Sequence, residues 1–146
     1  MNHDAYSSDY IRDILTSCKT MALVGASADE HRPSYNVMGF LLGKGYHVLP
    51  VNPAHAGEQI LGQFCYASLS ELPEPVDMVD VFREASHFKD VVDEAVAMIP
   101  RPKVIWGQLT VRDDVAAAKA ERAGIKVVMD RCPVTEFPLL YHALHG

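Results

Sequence analysis

The stretch Ala22-Leu23-Val24-Gly25-Ala26-Ser27 reads as a buried strand running into a tight turn, with three apolar residues followed by a glycine and two small side chains. Pro33 and Ser34 then open an amphipathic segment, Val37-Met38-Gly39-Phe40-Leu41-Leu42, which closes at Gly43-Lys44-Gly45. Proline at the start and glycine at the stop are the punctuation of a helix. Strand, tight loop and helix in this order open a parallel α/β sheet, and backbone N–H groups of such a loop can approach a phosphate without Cβ obstruction. The first expectation is therefore a nucleotide-type ligand.

Outward from this unit the same alternation repeats. Ile11, Ile14, Leu15 and Cys18 share one face of a leading helix over residues 8 to 18, with Ser8 or Asp9 as its cap. The first strand spans about 20–26 and the second 47–52, where Pro50 suggests an unusual ladder position or an edge. Residues 57–72 form an irregular insert, with a small ribbon around Gly62 and a one-turn helix at 68–72. The third strand covers 76–82; Asp77 and Asp80 spoil its alternation. A helix follows over 86–98, with Phe88, Val91, Val92, Ala95 and Ile99 on one stripe. The fourth strand is 103–109, a helix runs from 113 to 123 and stops at Gly124, the fifth strand is 126–130, and a last short helix spans 133–140.

Five strand–helix alternations predict an α/β, Rossmann-like, doubly wound domain with a five-stranded, mainly parallel sheet. Right-handed crossovers favour the strand order 3-2-1-4-5, which puts the topological switch between the first and fourth strands. The 146 residues suffice for one domain, residues 1–146 with a core at about 15–135. The N-terminus lacks a secretory pattern, and no apolar run reaches the roughly 18 to 20 residues that span a bilayer. Cys18, Cys65 and Cys132 are odd in number and show no metal spacing, so neither a disulfide framework nor a metal site is expected, and a reducing cytoplasm is the expected location. The net charge of −6 and the absence of a basic cluster argue against nucleic acid. An anionic ligand would have to be held by local N–H groups and one or two cations. A homodimer is left open.

Ligands of such sheets sit at the carboxyl ends of the strands. At the first strand end, Gly25-Ala26-Ser27 form either a phosphate cradle, with the Ser27 hydroxyl and nearby N–H groups as donors, or an ordinary turn. The dinucleotide pattern Gly-x-Gly-x-x-Gly is absent. Arg32 stands in the same loop as a phosphate partner or a solvated charge. Asn52, followed by Pro53, occupies the place where an NAD site carries an acid for the ribose hydroxyls; it either tolerates a phosphorylated ribose or only turns the chain. His55 just beyond is a weaker candidate. Phe82 could cover an adenine, and Arg83 either pairs with a phosphate or bridges to Glu84. Gly107 permits close backbone approach and Gln108 offers both donor and acceptor, while Trp106 reads as core. Cys132, after Arg131 and before a helix, is either a reactive thiolate or a buried inert thiol. His142 and His145 read as surface residues.

These pieces resemble the small stand-alone CoA-binding proteins, whose domain is similar to the CoA-binding Rossmann domain of the succinyl-CoA synthetase alpha subunit. The matching segments are Val24-Gly25-Ala26-Ser27, Arg32-Pro33-Ser34-Tyr35, Val51-Asn52-Pro53, Ile60-Leu61-Gly62, Val79-Asp80-Val81-Phe82-Arg83, Trp106-Gly107-Gln108 and Val127 to Cys132. The resemblance implies a CoA or acyl-CoA ligand, with its diphosphate over the first loop, adenosine near Asn52 to Ala54 and Phe82-Arg83, and pantetheine toward the fourth strand. It makes Ala26, Ser27, Ser34, Asn52 and Arg83 the foremost contacts. Relatives often carry lysine where this chain has Ala54, which removes a partner for the 3′-phosphate. The expected function is CoA binding as a non-catalytic sensor or carrier. The alternatives are an NAD(P)-binding redox protein, a CoA-thioester enzyme using Cys132, and an interaction domain that has lost its ligand.

Overall fold

The structure, a computed structural model, describes residues 1–138. Its sheet strands are β1 (Thr20–Val24), β2 (His47–Val51), β5 (Met78–Val81), β6 (Val104–Gly107) and β7 (Lys126–Val128), all parallel; β3 (Gln59–Ile60) and β4 (Gln63–Phe64) form a separate antiparallel ribbon. The helices are α1 (Ser8–Ser17), α2 (Pro33–Gly43), α3 (Ala85–Val96) and α4 (Asp114–Arg122), and a further helix starts at 133 and continues to 138. The expected end of that helix at Leu140, and His142 and His145, lie outside the described residues.

The sheet order is β2-β1-β5-β6-β7. Counted over the five predicted strands this is 2-1-3-4-5, not the expected 3-2-1-4-5, so the switch lies between the first and third strands. Two sets of contacts explain the difference. Asp77 accepts hydrogen bonds from the backbone of Lys19 (2.8 Å) and Thr20 (3.2 Å), which ties the start of β5 beside the start of β1. The outer side of β2 is meanwhile taken by the insert: Tyr66 N–H donates to Pro50 O (3.0 Å), and Asn52 N–H donates to Tyr66 O (2.9 Å). Because N–H and C=O of one strand residue point the same way, the missing N–H of Pro50 faces this outer side and costs no bond to β1. The edge position suggested by Pro50 is thus observed.

Alternation within each strand serves two apolar layers. Ala22, Val79, Val81, Ile105 and Val127 pack under α3 and α4, against Phe88, Val91, Val92, Ala95, Ala116, Ala117 and Ala120. Met21, Leu23, Met78, Trp106 and Val128 pack under α1 and α2, against Ile11, Ile14, Leu15, Val37, Met38 and Leu41. The fold is therefore doubly wound. The α1 cap is Ser7 rather than Ser8 or Asp9, and its Oγ accepts from Tyr10 N–H at 3.1 Å. Ile99 falls beyond the end of α3 and is 99% exposed, so it does not join the buried stripe. At the far edge the Tyr6 hydroxyl accepts from Met129 N–H and the Tyr10 hydroxyl donates to Val127 O, both at 2.9 Å, which satisfies free polar groups of β7. No helix among the described residues is long and apolar enough to cross a membrane.

Candidate functional site

All five parallel strands bring their carboxyl ends to one rim, and the rim is open where β1 and β5 diverge into helices on opposite faces. Gly25 makes this junction compact. Its φ is +88°, and a Cβ at this position would stand 2.2 Å from the Phe82 carbonyl oxygen. The Gly25 and Ala26 N–H groups both donate to Val51 O, at 2.9 and 3.4 Å, so the loop is stitched to the end of β2. The next turns are nested: Asp29 N–H donates to Ser27 Oγ (3.0 Å), His31 N–H to Asp29 Oδ1 (2.9 Å), and Arg32 N–H to Asp29 O (3.0 Å). Pro33, the first residue of α2, has no N–H to satisfy.

A cleft of about 270 Å³ lies over this junction, lined by Gly25, Ala26, Ser27, Arg32, Pro33, Ser34, Asn52, His55 and Phe82. A smaller hollow of about 120 Å³ begins one residue away on each strand. Val24, Val51, Pro53, Ser68, Arg83, His87 and Asp90 are among its walls. Most sequence-predicted positions therefore meet at the switch, divided between two adjoining depressions.

The donors in the cleft are fewer than the turn pattern implied. With Gly25 and Ala26 N–H engaged by Val51, and Tyr35 and Asn36 N–H by Arg32 O, the loop amides left without a bond among the described residues include those of Ser27 and Ser34. They flank the amino end of α2, where helix polarity favours an anion by about 0.3 to 2 kcal/mol. The Ser27 hydroxyl oxygen accepts from Asp29 N–H, and its proton has no acceptor among the described residues. Asn52 is a tie rather than an open donor: its Nδ2 donates to Ala26 O (2.8 Å), and its Oδ1 accepts from Ala54 N–H (2.9 Å). It fixes the loop by holding the Ala26 carbonyl.

Positive charge near the cleft comes from Arg32, which is largely exposed with Nε 4.0 Å from Asp29 Oδ2, and from Arg83 next to it. The expected alternative of an Arg83–Glu84 bridge is absent; Arg83 makes no ion pair among the described residues, and its Cδ packs near Gly25. His55 lines the cleft with Nδ1 2.7 Å from Glu58 Oε2.

Gly107 and Gln108 line neither depression. The corrected strand order accounts for this, since β6 is one strand removed from the switch. The close approach at Gly107 is to the chain itself, where an added Cβ would lie 2.8 Å from Val111 O. Gln108 is buried, and its Nε2 donates to Asp80 Oδ1 at 2.5 Å. Asp80 is fully buried in the middle strand, and its Oδ2 has no partner among the described residues. Burial pushes its carboxyl up to about 7, with the Gln108 hydrogen bond offsetting part of the shift. The signal for this residue was in the chain as an acid set among Val79, Val81 and Phe82. Trp106 is core, as read, and its indole N–H donates to Arg131 O (2.9 Å). Cys132 packs against the α1–α2 layer, while the neighbouring Arg131 side chain is directed to Asp130 O, Glu136 and the Tyr6 ring.

Comparison with known proteins adds an independent line. The sequence profile of the CoA binding domain matches residues 19–138. The uncharacterized protein YneT of Bacillus subtilis is 32% identical over 122 residues, covering 84% of this chain and 87% of that protein. The acetate–CoA ligase (ADP-forming) II of Archaeoglobus fulgidus is 31% identical over 91 residues, which are 61% of this chain but 13% of the ligase. Among solved structures, a Thermus thermophilus protein superposes with a TM-score of 0.86 at 39% identity, covering 92% of this chain and 99% of that one. A Pyrococcus horikoshii protein does so with a TM-score of 0.87 at 36% identity, covering 97% and 96%.

Proposed function

Because this chain belongs to the CoA binding domain family, we propose that it binds CoA or acyl-CoA across the β1–β5 switch and acts as a non-catalytic sensor or carrier in the cytoplasm. The observation that carries this reading is the anion-suited cleft at the switch, lying wholly within the matched span. The diphosphate lies over Ser27 and Ser34 at the head of α2. The adenosine extends toward Pro53 and Arg83, where the smaller hollow adjoins. Asn52 and Gly25 shape the loop from behind. The pantetheine arm leaves past Phe82 toward the end of β6, where Gly107 is in register with Val81 and Gln108 N–H donates to Val81 O at 3.2 Å.

CoA is favoured over a nicotinamide dinucleotide by the end of β2. An NAD site uses a carboxylate there to bind the ribose hydroxyls. Here the residue is a neutral amide whose two ends are already bonded to Ala26 and Ala54. Binding in the micromolar range, roughly −8 kcal/mol, is expected.

The test is Ser27→Asp. Aspartate can retain the turn by accepting from Asp29 N–H, so the domain keeps its melting temperature. Its carboxylate then stands beside the diphosphate and abolishes CoA binding in equilibrium dialysis. Undiminished affinity in a folded variant would refute the cleft as the phosphate site.

A further inference from the structure

We infer that the switch cleft couples uptake of its anionic ligand to protonation of Asp80, directly beneath the cleft floor. This rests on the CoA reading of the cleft. The residue's setting supplies the reason. Asp80 is in register with Leu23 of β1 and Trp106 of β6, on the α2 side of the sheet. Phe82, two residues further on the same face and about 7 Å along the strand, lines the cleft. The carboxyl is 0% exposed, receives one hydrogen bond from Gln108, and leaves Oδ2 unpartnered.

A carboxylate in such a place is poorly solvated, and no charged group among the described residues bonds it. The layer over it is apolar, formed by Val37, Met38 and Leu41 of α2 with Phe82, Val134 and Phe137. Among the described residues, the titratable groups on the elements of this layer are Asp9, Tyr10, Arg12 and Asp13 of α1 with Tyr6 before it and Cys18 after it, Tyr35 of α2 with Arg32 before it and Lys44 after it, Tyr46 and His47 at the start of β2, Cys65 after the ribbon, Lys126 of β7, and Arg131, Cys132 and Glu136 beyond it. Among the described residues, Gln108 alone bonds Asp80. Burial has already brought the carboxyl to about 7, so its ionisation is balanced near neutrality. Phosphate charge arriving at the amino end of α2 adds a repulsion that the neutral acid does not feel. At about 10 Å and an effective permittivity of about 20, one charge changes an equilibrium on the order of tenfold. By linkage, the ligand draws a proton from solvent onto Asp80, and the affinity falls as pH rises through the carboxyl's own titration range.

Titration calorimetry of CoA at pH 7 in two buffers of different ionisation enthalpy reads the proton count directly. The wild type should take up more protons per CoA than Asp80→Asn, by about 0.4, because a midpoint rising from about 7 by about one pH unit takes the carboxyl from half to about nine-tenths protonated. Its affinity should fall about fivefold more than the variant's between pH 6 and pH 8; the ligand's own phosphate titration is common to both. If Asp80→Asn does not fold, the carboxyl carbon of Asp80 followed by NMR in the wild type gives the same answer. Its midpoint should rise by about one pH unit on saturation with CoA. Equal proton uptake in the two proteins, or an unmoved midpoint, overturns the inference while leaving CoA binding standing. If CoA does not bind, the function reading fails by itself, and the NMR titration is repeated with inorganic pyrophosphate. A raised midpoint with that anion supports the proton link, and an unmoved one, or no binding, overturns it.

Discussion

Gly25 shows how a single residue couples backbone geometry to the site. Its positive φ and the 2.2 Å gap from a would-be Cβ to the Phe82 carbonyl leave no room for a side chain. Gly25→Ala should therefore cost about 3 kcal/mol in urea unfolding, from the left-handed backbone and the forced separation of β1 from β5. A cost below about 1 kcal/mol would contradict the close junction. The glycine was legible in the sequence, but its reason was not: the expected contact was a phosphate, and the observed one is a neighbouring carbonyl. Asn52 carries the same lesson, since residue type marks the position while its two bonded ends decide the role. Asp80 went further unseen, because an acid in a strand reads as a fault in alternation until its burial is known. Its folded-state pKa is raised to about 7 from an ordinary value near 3.9, so the folded protein holds the proton more tightly than the unfolded chain. The sign follows: Asp80 favours the fold most at low pH, and that contribution is lost as pH rises from about 4 to about 7. Asp80→Asn, with its amide carbonyl accepting from Gln108, should gain stability relative to wild type between pH 5 and pH 8. A difference independent of pH in paired urea titrations would contradict the buried, isolated carboxyl.

At the level of elements, helices and strands could be read from the chain because their signals are local. Prolines and glycines at the ends of α2, apolar stripes on α1 and α3, and short apolar runs for the strands all act within a few residues. Strand neighbours are not a local property. The exchange of order at the switch was decided by Asp77 reaching the amides of Lys19 and Thr20, 58 and 57 residues away, and by Tyr66 closing the edge of β2. With the switch between β1 and β5, Gly107 and Gln108 lie one strand away and line neither depression. Asp77→Ala should lower stability by about 2 kcal/mol at neutral pH, through two orphaned amides. Burial opposes the charge of Asp77, but the Lys19 and Thr20 N–H groups together with Lys103 outweigh it and hold the carboxyl below its ordinary value. For a lowered acid the stabilisation is present above the unfolded pKa and fades as pH falls through the folded one. The penalty of Asp77→Ala should accordingly shrink in acid; a penalty that stays constant down to pH 2 would show that the charge is not what ties β5 to β1.

The whole molecule sets a negative chain against an anionic ligand. With a net charge of −6, attraction has to be local, and the locality is built by the fold. Five parallel strands end on one rim, two helices leave it on opposite faces, and the amino end of α2 with Ser27 and Ser34 supplies donors where β1 and β5 part. Arg32 and Arg83 stand at the adjoining depressions. The broad architecture followed from alternation alone, and the candidate cleft lies at the strand ends, where parallel sheets leave few places for a ligand. The division of the site into two depressions did not, since it depends on which strand ends touch. The central claim is that this rim is a CoA site and not a dinucleotide site. Isothermal titration of the purified protein with CoA and, separately, with NADH tests it most directly. Micromolar binding of CoA with NADH at least about a hundredfold weaker is the predicted result; NADH binding as tightly as CoA, or no heat with CoA at millimolar concentration, would contradict it.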